Sequence, residues 1–278
     1  NSNYKIMRLL LTLSFFFFVN FCFAQTNVFD NKTEIIKTKS GFQLLRNGEP
    51  YYVKGGGGTE HLEVLKNIGG NSIRTWSTEN AQQVLDDALK NGLTVCMGLW
   101  VGHERHGFDY NDEYAIEAQL KGFEQDIIKY KDHPALLMWT VGNEVDLFYK
   151  NFRVWNAVED IAKMIKKIDP NHPIMTVTAG IDPAEVHMIK NSCPSIDVLG
   201  VNTYGGVKHL VDAVRMYGWD KPYMVTEWGP YGHWESPNTS WGVAVESSSK
   251  EKAEFRDLAY SSIQKDTELC LGSYAFLW

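Results

Sequence analysis

The sequence predicts a parallel (β/α)8 barrel, and three observations carry that reading. Eight short apolar, β-branched runs recur at intervals of roughly 30 residues, the spacing of such a barrel. Seven stretches with apolar residues at i, i+3, i+4 and i+7 lie between them, so strand and helix alternate as a parallel sheet requires. No GxGxxG follows the first run, which argues against a doubly wound dinucleotide-binding sheet.

The elements follow in order. Residues 33–50, TEIIKTKSGFQLLRNGEP, predict a short hairpin around Asn47-Gly48, a pair that favours the tight two-residue turn. This hairpin is expected to cap the N-terminal mouth. The strand runs are 51–55, 71–76, 93–101, 135–142, 174–180, 196–204, 222–229 and 269–278. The helical stretches are 60–69, 81–92, 113–132, 152–169, 184–192, 207–218 and 250–266, several closed by Gly or by Asp/Asn-His-Pro stop signals. No eighth helix follows Trp278, so the chain is expected to be truncated, with one face of strands eight and one left uncovered.

Met7 and Arg8 open the apolar run LLLTLSFFFFVNFCFA, with small residues at Cys22 and Ala24 before a cut after Ala24. This is the pattern of a secretory signal, short for a membrane anchor. A lipoprotein signal fits less well, because Val-Asn-Phe precedes Cys22. The expected division is therefore residues 1–24 as upstream residues and signal, 25–50 as extension and hairpin, and 51–278 as the barrel. The expected location is secreted or periplasmic. With Cys22 removed, Cys96, Cys193 and Cys270 form an odd, widely spaced set without CxxC, read as buried small hydrophobes and not as a disulfide or zinc framework.

Composition narrows the function. Hydrophobic residues make up 44% and charged residues 22%, the balance of a globular chain. A net charge of −7 argues against a nucleic-acid partner. Aromatics reach 13%, with nine Trp, a supply that suits a sugar-binding cleft as well as a core.

In this fold, functional groups stand at the C-terminal ends of the strands. Those ends read Gly55–Gly58, Arg74-Thr75-Trp76, Trp100 with His103, Asn143-Glu144, Thr178, Asn202-Thr203-Tyr204, Glu227-Trp228 and Trp278. Polar and aromatic residues gather there while the strand interiors are apolar. Glu144 ends strand four and Glu227 ends strand seven, across the barrel from each other. Two facing carboxylates suit glycoside cleavage, one protonating the leaving oxygen and one attacking or activating water. The bland alternatives are a helix-terminal carboxylate for Glu144 and a rim ion pair with Arg74 for Glu227.

The motifs N-S-I-R-T-W, V-G-N-E-V, V-N-T-Y and V-T-E-W-G, in this order on strands two, four, six and seven, resemble the clan A retaining glycoside hydrolases. They are most similar to the TIM-barrel catalytic domain of glycoside hydrolase family 2. V-G-N-E-V also resembles family 17, and NGEPYYVKG resembles families 2 and 5. The resemblance spans about residues 41 to 278. It implies Glu144 as acid/base and Glu227 as nucleophile. It implies Asn143 on the sugar 2-OH, Arg74 beside the nucleophile, Tyr204 donating to it, and Trp278 as the floor under the reacting sugar. A nucleophilic carboxylate must stay ionised, and a cation with a phenol donor favours that; an acid/base wants a more desolvated place.

Further candidates carry less. His103, in the loop GHERHGFDYND, is a sugar-contact candidate, and the loop's His and acids leave a metal reading open against that of a solvated loop. Trp228, and Trp234 with Trp241 in PYGHWESPNTSWG, could stack on sugar rings or pack the loop onto the barrel. Gly55–Gly58 lacks the Lys-Ser/Thr of a phosphate cradle. The expectation is a retaining β-glycosidase on a glucan-like oligo- or polysaccharide, with no metal, no cofactor and no membrane partner after signal cleavage. Transglycosylation on the same substrates and a non-catalytic carbohydrate-binding barrel are the alternatives. A metal-dependent barrel hydrolase would need His/Asp ligands at the strand ends, which carry Arg, Asn, Glu and Tyr instead.

Overall fold

The computed structural model describes residues 31–278, so the signal segment and the start of the extension lie outside the described residues. Eight parallel strands close into a barrel: β4 (Val53–Gly57), β5 (Ser72–Arg74), β6 (Thr94–Leu99), β7 (Leu136–Val141), β8 (Ile174–Ala179), β9 (Val198–Asn202), β10 (Tyr223–Trp228) and β11 (Cys270–Ala275). β11 pairs with β4 and completes the ring. The helices between them are α1 (Leu62–Asn67), α2 (Ala81–Lys90), α3 (Glu113–Tyr130), α4 (Arg153–Ile168), α5 (Pro183–Ser192), α6 (Leu210–Met216) and α7 (Ser249–Ile263). Each barrel strand and helix falls on a run read from the sequence, and three helix N-termini are capped by side chains. Asp112 and Asp182 cap α3 and α5 with their carboxylates, Pro183 follows Asp182, and Ser248 with Glu251 forms a capping box on α7.

The apolar residues sort into two layers. Ile73, Val95, Leu99, Trp139, Val141, Leu199 and Val225 face the helices, where Trp155, Ile161 and Ile165 of α4 meet them. Val53, Cys96, Met138, Met175, Val177, Val198, Met224 and Tyr274 fill the barrel interior. Strands that bury both faces read as continuous apolar runs, which is why their alternation was hidden in the sequence.

The N-terminal segment departs in detail from the expected hairpin. β1 (Thr33–Thr38) and β2 (Gly41–Arg46) pair along their whole length and turn at Lys39-Ser40. Asn47-Gly48 instead joins β2 to a two-residue β3 (Glu49–Pro50), with both turn residues at positive φ as a mirror-image turn requires. The sheet does cap the barrel: Leu44, with Ile35, Phe42 and Tyr51, closes the interior cluster. Backbone bonds from Thr33 to Asn171 and from Phe42 to Glu268 tie it to the loops below the strands. The three cysteines at 96, 193 and 270 are buried and free.

The helix α7 touches β11 at one edge, and among the described residues the outer faces of β11 and β4 are otherwise left open. A groove runs there between α1 and α7, lined by Leu65, Ile68, Trp228, Tyr260 and Trp278.

Candidate active site

The site is built at the C-terminal end of the barrel by three local devices. On β5 the two-residue period sends Ser72, Arg74 and Trp76 inward while Ile73 joins the outer layer. After β7 the chain bends sharply, with Gly142 at φ 77° and Glu144 at φ 52°. The Glu144 amide donates to the Val177 carbonyl at 2.9 Å, so the bend is anchored on β8. A glutamate held in the left-handed region is unusual and marks a position the surroundings over-determine. On β10, Met224 faces inward, and strict alternation would send Glu227 out with Tyr223 and Val225. Pairing to β9 shifts between Val225 and Glu227, so Thr226 is the extra residue of a bulge. The bulge re-aims Glu227 into the mouth.

Glu227 is 6% exposed and fully engaged. Its Oε1 accepts from Arg74 Nη1 at 3.0 Å and Trp76 Nε1 at 2.8 Å; its Oε2 accepts from the Tyr204 hydroxyl at 2.9 Å. Burial, and then the charge of Glu227, push the Tyr204 phenol well above its ordinary range, so it remains a donor. Arg74 also donates to Asn143 Oδ1 at 2.7 Å and to the Thr226 carbonyl at 3.1 Å. Asn202 extends the network: Nδ2 reaches Asn143 Oδ1 at 3.1 Å and Glu144 Oε1 at 2.8 Å, while Oδ1 accepts from Thr226 at 2.8 Å. One continuous network thus runs from Glu227 through Arg74, Asn143 and Asn202 to Glu144. The Asn143 amide oxygen is taken twice, and its amide nitrogen has no partner among the described residues.

Aromatic rings wall the Glu227 side. Phe276 meets Trp76 edge-on at 5.9 Å and Tyr204 at 6.0 Å, and Trp234 meets Tyr204 at 5.4 Å. Trp234 is 64% exposed, so the wall continues to solvent.

The structure therefore brings Glu144, Glu227, Asn143, Arg74, Tyr204 and Trp234 together, and it corrects three expected contacts. Trp278 is not the floor. Its amide bonds the Gly57 carbonyl at 2.9 Å, and its side chain lies over Gly56 and into the outer groove, while Phe276 takes the inward place. Trp228 follows the bulge outward and stacks on Tyr260 of α7, with centroids 5.7 Å apart. His103 is buried, and its Nε2 is 2.6 Å from the Asn143 carbonyl, so it positions Asn143 and presents no nitrogen to a sugar. Arg74, expected beside the nucleophile, lies fully buried against Glu227 and reaches a ligand only through Glu227 and Asn143.

Trp76 and Asn202 stand among the polar strand ends without an assigned role, and Phe276 is not among them. A period-two signal was available for each, two positions beyond Arg74, Gly200 and Tyr274. Among the described residues, no cluster of three or more His, Cys, Asp or Glu side chains is arranged to hold a metal.

A family model described as the TIM barrel domain of glycosyl hydrolases family 2 matches residues 59–233. The chain is 26% identical over 230 residues to a beta-glucuronidase of Paenibacillus borealis, covering 68% of this chain and 37% of that protein. It is 24% identical over 202 residues to a beta-galactosidase of Bacteroides ovatus, covering 60% of this chain and 23% of that protein. The solved beta-D-glucuronidase of Dictyoglomus thermophilum superposes with a TM-score of 0.65 at 18% identity, covering 88% of this chain and 46% of that one. That likeness establishes the shared barrel. The chain spans less than half the length of each of these proteins.

Proposed function

The chain belongs to glycosyl hydrolase family 2, of which it carries the TIM barrel domain, and from that premise we propose that it cleaves β-glycosidic bonds with retention of anomeric configuration. Glu227 is the nucleophile and Glu144 the acid/base. Glu227 attacks the anomeric carbon as Glu144 protonates the departing oxygen, which leaves a glycosyl ester on Glu227. Glu144, now ionised, takes a proton from water, and the hydroxide releases the sugar.

The observation that carries this reading is the unequal treatment of the two acids. Glu227 is held by a cation, an indole and a phenol, three donors that complement a negative charge. Glu144 accepts one amide, and its other oxygen accepts no hydrogen bond among the described residues, with Arg105 4.0 Å away. Asn143, with a free amide donor, is placed to meet a sugar hydroxyl whose bond tightens in the transition state. The substrate is a β-linked oligo- or polysaccharide. The glucan-like expectation widens to hexose and hexuronate glycones, on the names of the relatives. The N-terminal segment supports a secreted or periplasmic protein, which fractionation of expressing cells would check.

The test is a panel of 4-nitrophenyl β-glycosides that includes glucoside, galactoside and glucuronide. Glu227→Ala should lower kcat on whichever is cleaved by on the order of 10⁴ or more. Azide should restore Glu227→Gly with release of the glycosyl azide. Full activity in Glu227→Ala would remove the nucleophile assignment.

A further inference from the structure

The geometry points to Arg105 as the recognition group of a leaving-group subsite that takes an anionic unit, a carboxylate or sulfate borne on the moiety attached to the scissile oxygen. This rests on the proposed roles of Glu144 and Glu227.

The acid/base delivers its proton to the leaving oxygen, so the leaving group occupies the Glu144 side of the mouth, away from Glu227. Arg105 stands on that side. Its Nη2 is 4.0 Å from Glu144 Oε2, the oxygen that Asn202 does not hold. Arg105 differs sharply from Arg74 and Arg215 in how its donors are used. Arg74 makes three hydrogen bonds and Arg215 grips Asp266 and Glu268. The Arg105 guanidinium, with five N–H donors, makes no hydrogen bond among the described residues; its one ion pair there is the 4.0 Å contact with Glu144, and its charge is also felt by the Asp146 carboxyl. Its side chain is 23% exposed, so it is reachable from the cleft yet partly desolvated.

The loop presenting it is built and not loose. Glu104 Oε2 accepts from the backbone amides of Lys150 and Asn151 at 2.6 and 2.9 Å, which locks this loop to the one after β7. Gln119 holds the Gly102 amide at 2.7 Å, and His103 holds Asn143. Arg105 is thus carried on the same rigid frame as Glu144. Trp100, 41% exposed, stands at the base of the same loop with His106 stacked on it, adding aromatic surface beside the cation. Double displacement asks for a proton at the leaving oxygen and no fixed positive charge beyond it. Arg105 is therefore free for recognition, and its planar fork matches a carboxylate bidentately.

The experiment uses aryl β-glycosides of the glycone that the panel above identifies. The 4-(carboxymethyl)phenyl glycoside is compared with its methyl ester, whose leaving-group acidity is nearly the same because the methylene insulates the ring, and a 4-(sulfomethyl)phenyl glycoside forms the sulfate-like arm. The wild type should favour an anionic aglycone over the ester by on the order of tenfold in kcat/KM at low ionic strength. The sulfonate against the carboxylate tells which oxyanion is preferred. The preference should shrink in high salt, collapse toward one in Arg105→Gln and return in part in Arg105→Lys. Because the readout is a ratio, a general loss from misfolding cancels. A wild-type ratio near one, or a ratio that survives Arg105→Gln, overturns the inference and leaves the glycosidase reading standing. If no glycoside is cleaved at all, the parent reading fails and this inference with it.

Discussion

Among individual residues, the fate of each acid follows from its partners. Arg74 and Glu227 form a buried pair in which either partner alone would be an uncompensated charge in the barrel. Asp146, two residues beyond Glu144, has a different setting. Burial pushes its carboxyl up to about 6, although the Ala179 amide at 3.0 Å pulls the other way. Glu185 beside it is pushed up to about 7, first by burial and then by the charges of Asp146 and Asp182. The folded protein thus holds protons on these groups more tightly than the unfolded chain. Their stabilising contribution is complete below about pH 4, the unfolded carboxylate value, and is lost as pH rises through about 6 to 7. Asp146→Asn keeps an acceptor for Ala179 and never ionises. Its melting temperature relative to wild type should therefore rise between pH 4 and 8; a difference independent of pH would contradict the assignment.

Among the elements, the loop after β7 and the bulge in β10 decide where the two glutamates point. Gly142 at φ 77° has Val145 Cγ1 3.0 Å from where a Cβ would stand, so it is both left-handed and crowded. Gly142→Ala should cost about 1–2 kcal/mol from the left-handed backbone alone. It should also lower kcat more than it raises KM, because the bend carries Glu144. Denaturant unfolding read beside kinetics checks this, and an alanine variant with unchanged stability and kcat would show that the bend tolerates a side chain. The β10 bulge explains why adjacent residues part company, with Glu227 in the mouth and Trp228 on α7.

Across the whole molecule, the barrel interior is closed below by the N-terminal sheet and opened above by polar side chains. Leu44 is 1% exposed and is the residue of that sheet most deeply set in the interior cluster. Leu44→Ala should destabilise the protein by about 2–5 kcal/mol, the cost of a buried leucine and its cavity, while leaving the pH profile of activity unchanged. A loss of under about 0.5 kcal/mol, the range of surface changes, would mean that the sheet merely lies against the barrel. Much of this molecule was legible beforehand. The eight runs, the seven amphipathic stretches and the polar strand ends suffice for the barrel and its polar rim, because period and burial are local consequences of the sequence. Glu144, Glu227, Arg74 and Tyr204 stand among the candidates because they end strands, and the roles of Arg74 and Tyr204 come from the family resemblance. Tertiary structure alone decided which way a side chain faces after a strand stops being regular. A bulge at Thr226 turns Glu227 in and Trp228 out; a bond to Gly57 carries Trp278 to the outer face and leaves the floor to Phe276; and the frame shared with Asn143 turns His103 from a ligand contact into a support. Orientation at these points depends on pairing with strands distant in sequence, and no local pattern encodes that pairing.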